Sequence, residues 1–252
     1  MTAFAPDELR EAIERDQLFL LFQPQVDLAT SQPRGVEAML RWQHPRFGVV
    51  HAAKFVREMG LVGLDRPCLR WILRAATRQL AEWRAGGAAV EYVAVNAFAE
   101  SLSPPLAEDI GRIVTDARLD PSSLEIECQP DSMFDAQAAD AIRAVRAIHV
   151  RVAFDDFGDG PMSLVSLRSF EFDTLKVPVT FVLHGDALDD AVISATVAIG
   201  RAMGARVVAE GVETLALRER VRALGCDLGQ GYLWSQLVRG ADIPSIFAGL
   251  RA

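Results

Sequence analysis

Cysteine is scarce in this chain of 252 residues: Cys68, Cys128 and Cys226 stand far apart and form no CxxC pair. A sparse, odd count fits a reducing, cytoplasmic setting better than a disulfide-built fold. The opening Met1-Thr2-Ala3-Phe4-Ala5-Pro6 has neither the basic region nor the apolar core of a secretion signal. Long apolar runs are missing too, and no window approaches the roughly 18 to 20 residues of a membrane span. Lys/Arg runs of five or more are absent and the net charge is -8. That argues against a nucleic-acid polymer as partner, which would need a basic face. A small anion is not excluded, because bound cations can reverse the field of an acidic site. The four histidines, His44, His51, His149 and His184, show no HExxH or paired spacing. They read as loop or surface residues, not as zinc ligands. No low-complexity linker interrupts the chain, so one domain over residues 1–252 is expected.

Half of the residues are hydrophobic and about a quarter are charged, enough for a sizeable core. Apolar runs of strand length occur at Phe19 to Leu28, Val36 to Trp42, Tyr92 to Asn96 and Leu124 to Cys128. Further runs follow at Val150 to Asp155, Thr174 to Val177, Arg206 to Glu210 and Cys226 to Leu228. Helical patterns lie at Asp7 to Arg15, Leu64 to Ala85, Pro105 to Ala117 and Met133 to Ile148. Others lie at Met162 to Ser169, Asp189 to Met203, Thr214 to Leu224 and Ile243 to Leu250. About eight strands, most followed by a helix, predict an α/β fold of the TIM-like (β/α)8 barrel type. The rival, an open doubly wound sheet, lacks its usual marks here: no GxGxxG or P-loop follows a strand.

Polar residues close successive runs: Glu37, Asn96, Glu125, Asp155 with Asp156, Lys176 and Glu210. Any one of them reads as a helix cap or a solvated loop residue. In a barrel, however, parallel strands end at one rim, where active sites are built. The set therefore predicts a shared centre. Carboxylates and an amide are hard oxygen donors that suit Mg²⁺, Mn²⁺ or Ca²⁺. Adjacent aspartates suit two neighbouring cations, a device for in-line displacement at phosphorus. Lys176 would add a fixed positive charge.

Phe22-Gln23-Pro24-Gln25-Val26-Asp27-Leu28 and Glu37-Ala38-Met39-Leu40-Arg41-Trp42 resemble the EAL family of cyclic-di-GMP phosphodiesterases. Val95-Asn96, Leu124-Glu125-Ile126, Phe154-Asp155-Asp156-Phe157-Gly158 and Leu175-Lys176-Val177 continue the match. Ala209-Glu210-Gly211-Val212-Glu213-Thr214 and Gln230-Gly231-Tyr232-Leu233 complete it. The resemblance implies a barrel whose first strand is antiparallel. It implies metal ligands at Glu37, Asn96, Glu125, Asp155, Asp156 and Glu210, holding two Mg²⁺ or Mn²⁺ ions, with Ca²⁺ as an inhibitory occupant. Lys176 would position the hydrolytic water and Glu210 assist its deprotonation, while Gln23, Arg41 and Gln230 contact substrate. The implied reaction opens one phosphodiester bond of cyclic-di-GMP to give linear pGpG. A homodimer and a regulatory protein partner are the associations the resemblance allows.

The chain departs from the family pattern at several places. Met39 replaces Leu in the signature, a volume-conserving swap that reads as a core variation. Cys128 stands where the family usually has a second Glu three residues after the first, a tether for the loop after the paired aspartates. A thiol cannot supply that anionic acceptor. Glu127 reads as a poor substitute, because neighbouring strand residues face opposite ways. Asp159 and Pro161 alter the loop itself, and Pro178 replaces an Asp two residues after the lysine. Phe55 to Val62 is about three residues short, and Ser235-Gln236-Leu237 lacks the usual Arg-Pro. Eroded support of this kind predicts weak or regulated hydrolysis. The alternative is a catalytically impaired domain that binds cyclic-di-GMP or a protein.

Overall fold

Short apolar runs bounded by turn residues favour buried strands; seven of the eight runs named above form one, and the run at Cys226 to Leu228 meets its strand only at Leu228. A computed structural model describes residues 4–98, 101–129, 135–158, 167 and 171–251. Its barrel strands are β1 (Leu18–Asp27), β2 (Pro33–His44), β4 (Tyr92–Asn96), β5 (Leu124–Cys128), β6 (Arg151–Phe154), β7 (Thr174–Val177), β8 (Arg206–Ala209) and β9 (Leu228–Gln230). β3 (Gly48–His51) hangs outside as a hairpin partner of β2. The sheet order is β1-β9-β8-β7-β6-β5-β4-β2-β3, and the β1–β2 pairing closes it. β1 is antiparallel to both neighbours, and the remaining barrel pairs are parallel. The expected TIM-like barrel with an antiparallel first strand is thus the fold.

The helices are α1 (Pro6–Glu14), α2 (Val56–Leu61), α3 (Asp65–Ala85), α4 (Leu106–Asp116), α5 (Ala136–Ala147), α6 (Val179–His184), α7 (Ala187–Met203), α8 (Leu215–Ala223) and α9 (Ile243–Arg251). Spacing explains their packing: α3 buries Cys68, Leu69, Ile72, Leu73, Ala76, Leu80 and Trp83, a stripe at three- and four-residue intervals. Local chemistry explains their ends. The Asp186 side chain accepts from the Leu188 and Asp189 amides to start α7, and Gly204 at φ 72° ends it. The helix expected at Met162 to Ser169 lies, apart from Leu167, outside the described residues. β3, α2 and α6 were not expected, since four to six residues are too few to show a period. Among the described residues no helix is long and apolar enough to cross a membrane.

Side-chain alternation along each strand separates two environments. On β5, Ile126 and Cys128 point outward into the hydrophobic cluster with Ile110, Ile142 and Val145. Glu125 and Glu127 point into the barrel, where both are 0% exposed. His44 corrects another expectation. It is buried in β2 against Phe4, Trp42 and Phe47, and its Nδ1 accepts the Arg46 amide. His51, His149 and His184 are exposed, as expected.

Candidate active site

Lys176, third of four residues in β7 and 1% exposed, sends its ammonium to the C-terminal end of the barrel. There Nζ meets four carboxylates: Glu210 Oε1 at 2.7 Å, Glu127 Oε2 at 2.8 Å, Asp155 Oδ1 at 3.1 Å and Glu37 Oε2 at 3.2 Å. Each arrives from a different strand or strand end, as the barrel topology dictates. Asn96 Nδ2 donates to Glu37 Oε1 at 2.9 Å, and Gln230 Nε2 donates to Glu37 Oε2 at 2.7 Å. Gln230 also donates to Gln23 Oε1 at 3.1 Å, and Gln23 Nε2 donates to the Ser235 carbonyl at 3.0 Å.

The paired aspartates sit on a turn with unusual backbone. Asp156 has φ 49° and Gly158 has φ 97°. Aspartate tolerates the left-handed region better than most residues, so the turn costs less here than it would with a branched side chain. The Asp156 amide donates to Asp155 Oδ1, and the Phe157 amide to the Lys176 carbonyl, tying the turn to β7. Asp155, Asp156 and Glu210 bring ligand oxygens within 4.8 Å of one another.

One expected ligand is not in this cluster. Glu125 lies deeper in the barrel, where Oε2 accepts from Thr174 Oγ1 and Arg206 Nη2, each at 2.8 Å. The β4–β5 register shows why: Glu125 is level with Ala94, whereas Glu127 is level with Asn96. Glu127 shares Glu125's inward face and stands one pleat nearer the rim. The place expected for Glu125 is therefore Glu127's. Cys128 is corrected with it, because it faces the outer core, its Sγ directed to the Ala153 carbonyl at 3.7 Å. Three residues beyond Glu127 is position 130, outside the described residues, as are Asp159 and Pro161. Pro178 closes β7 and caps the start of α6.

Electrostatics reflect the imbalance of charge. Burial raises the Glu37 carboxyl, but the Lys176 charge and the bonds from Gln230 and Asn96 overcome it, leaving Glu37 below its usual value. Burial, reinforced by the Glu37 charge, holds Glu127 well above the usual range despite Lys176. Burial pushes Glu210 up to about 7, with Lys176 opposing and Asp155 adding. Burial acts against the Lys176 ammonium, yet Asp155, Glu127, Glu210 and Glu37 together hold it charged and raise its pKa well above normal.

A cleft of about 600 Å³ opens beside the cluster, lined by Glu37, Arg41, Asn96, Phe98, Arg57 and Gln129. Arg41 is 7% exposed and uses Nη1 on the Leu40 carbonyl. A smaller cleft of about 230 Å³ adjoins Gln23, Glu210, Gln230 and Tyr232. Met39 lines both clefts and is partly exposed, so it is a wall of the site and not a core residue. Gln129, which donates to Asp156 Oδ2 at 3.3 Å, and Arg57 carried no motif and escaped the sequence reading.

The donor set fits divalent cations on three grounds. Four carboxylates, Glu37, Glu127, Asp155 and Glu210, share one ammonium, and a fifth, Asp156, adjoins Asp155 and Glu210. Glu127 Oε1 is buried without a hydrogen-bond partner among the described residues, a costly state that a cation would relieve. The available atoms are hard oxygens.

A model of the family described as "EAL domain" matches residues 6–236. MucR of Pseudomonas aeruginosa, a bifunctional diguanylate cyclase/cyclic di-GMP phosphodiesterase, is 38% identical over 90% of this chain and 34% of its own length. NbdA of the same organism, a cyclic di-GMP phosphodiesterase, is 34% identical over 91% of this chain and 30% of its own length. The chain thus spans about a third of these curated relatives. A solved c-di-GMP complex of the PaMucR phosphodiesterase superposes with a TM-score of 0.87 at 34% identity, covering 94% of this chain and 98% of that one. The chain belongs to the EAL domain family.

Proposed function

We propose that this chain hydrolyses cyclic-di-GMP to the linear dinucleotide pGpG with Mg²⁺ or Mn²⁺ as cofactor. The observation that carries the reading is the convergence of four carboxylates on Lys176 at the barrel rim, with Asp156 beside two of them and an arginine-lined cleft adjoining. Glu37, Asn96, Glu127, Asp155, Asp156 and Glu210 would hold two cations, which would supply charge stabilisation at the phosphate and a more acidic water. Arg41, buried in the cleft wall with donors to spare, grips a phosphate through its planar fork. Lys176 would orient the attacking water, and Glu210, whose Oε1 lies 2.7 Å from the Lys176 ammonium, would take its proton. Gln23 would contact the substrate from the β1 and β9 side, and Gln230, with both amide hydrogens taken by Gln23 and Glu37, would hold those two side chains in place.

The test is product formation. Purified protein with the dinucleotide and Mg²⁺ or Mn²⁺ is expected to yield linear product, and Glu37→Ala to abolish it. Product no higher than in the Glu37→Ala control would refute the proposal. A binding-only domain is the second reading, favoured by one observation: the three N–H groups of Lys176 are already shared among four carboxylates. Calorimetric binding of the dinucleotide without turnover would establish it.

A further inference from the structure

A continuous line of hydrogen bonds runs through the barrel from its N-terminal half to the acidic cluster. Tyr92 Oη donates to Gln25 Oε1 at 2.5 Å, and Gln25 Nε2 donates to Gln230 Oε1 at 2.9 Å. Gln230 Nε2 then donates to Glu37 Oε2 at 2.7 Å. Tyr92 and Gln25 are 0% exposed and Gln230 is 2% exposed, so bulk water cannot replace a lost partner.

The line has a direction. An amide offers an acceptor at one end and a donor at the other, and a flip exchanges them. Glu37, as a carboxylate, can only accept. The Tyr92 hydroxyl proton has Gln25 Oε1 as its one acceptor among the described residues. A flipped Gln25 would strand that proton in the interior, where no water can accept it. It would also turn its oxygen toward the Gln230 oxygen, and a matching flip of Gln230 would set an amide oxygen against the Glu37 carboxylate. Gln230 would at the same stroke lose its bond to Gln23.

The phenol is firmly held. The Arg151 and Arg206 guanidinium carbons lie 5.1 and 4.8 Å from its ring centroid. Gly35, beside Tyr92 in the β2–β4 register, provides the space, since a Cβ there would come within 2.4 Å of Tyr92 Cζ.

We propose that Tyr92 and Gln25 are positioning residues that lock the Gln230 amide nitrogen onto Glu37, keeping that carboxylate in the orientation for metal. The proposal rests on the cation site argued above. Its test uses the intact chain, side-chain amide NMR and Mn²⁺ calorimetry. Tyr92→Phe should shift or split the Gln230 side-chain amide signals and weaken Mn²⁺ binding about tenfold, the lower end of outer-shell effects. In a Gln230→Ala background the same Tyr92→Phe change should add no further loss. Unaltered Gln230 signals with unaltered Mn²⁺ affinity would overturn the relay. So would an equal loss in the Gln230→Ala background, which would mean that Tyr92 acts by another route. If Tyr92→Phe does not fold, Gln25→Leu breaks the line at the next residue and is judged by the same outcomes. A wild type that binds no Mn²⁺ overturns the cation reading alone, and the amide signals then decide the relay.

Discussion

The barrel interior holds two buried ionic layers built by opposite rules. In the lower layer one acid, Glu125, meets one guanidinium, Arg206, and its Oε2 takes a second bond from Thr174 at 2.8 Å, while Oε1 has no hydrogen-bond partner among the described residues. In the upper layer four acids surround Lys176, and a fifth, Asp156, adjoins two of them. An isolated ionised group inside a protein costs several kcal/mol, so balanced pairing is what structure alone requires. The lower layer meets that requirement and the upper one violates it. Excess negative charge of this kind calls for protonation or bound cations: burial raises Glu127 and Glu210 toward the neutral form, and ligand oxygens of Asp155, Asp156 and Glu210 lie within 4.8 Å of one another. Two glutamates two residues apart on one strand thus serve different ends.

The comparison breaks most severely if the two faces of β5 are confused. Cys128→Glu places a carboxylate in the outer hydrophobic cluster, where Cys128 is 2% exposed. It should cost about 4 kcal/mol or more and be seen as lost or lowered denaturant midpoint. A stable variant with raised turnover would show instead that position 128 supports the rim loop. Glu125→Gln should lower stability by about 3 kcal/mol, because Arg206 keeps its charge and loses its anion, while turnover stays near wild type. A collapse of turnover in a folded Glu125→Gln protein would make the lower layer part of the site.

The smallest effect lies in pH. Burial pushes the Glu210 carboxyl up to about 7 from an ordinary 4.5, and raises Glu127 in the same direction. A carboxyl raised by folding contributes stability that is full below the unfolded value and is lost as pH rises through the folded one. Lys176 adds no slope in this window, because it stays charged in both states. Thermal unfolding of metal-free protein should therefore fall by a few degrees between about pH 5 and pH 8, and Mn²⁺ should flatten the curve. A metal-free midpoint that climbs over that range would contradict the raised carboxyls.

Most of the fold was legible because each barrel strand carries a compact apolar run and each long helix a clear stripe. Glu37, Asn96, Asp155, Asp156, Lys176 and Glu210 were legible as polar closures of those runs. Glu125 was misplaced for a physical reason: strand ends are counted in pleats. The last inward residue of Leu124–Cys128 is Glu127, just as Asn96 is that of Tyr92–Asn96. Alternation would have shown this had it been carried to the strand's end. Tyr92 and Gln25 were not legible, because Tyr92 looks like any core aromatic until Gly35 and the two arginines are seen around it. Met39 was misjudged because a residue's role as cleft wall depends on neighbours far away in sequence.

The most direct test of the two-layer account is Mn²⁺ titration of the wild type, Glu125→Gln and Glu127→Gln by calorimetry. The account predicts wild-type affinity for Glu125→Gln and a loss of about 100-fold for Glu127→Gln. The reverse pattern, with Glu127→Gln binding normally and Glu125→Gln impaired while folded, would contradict it.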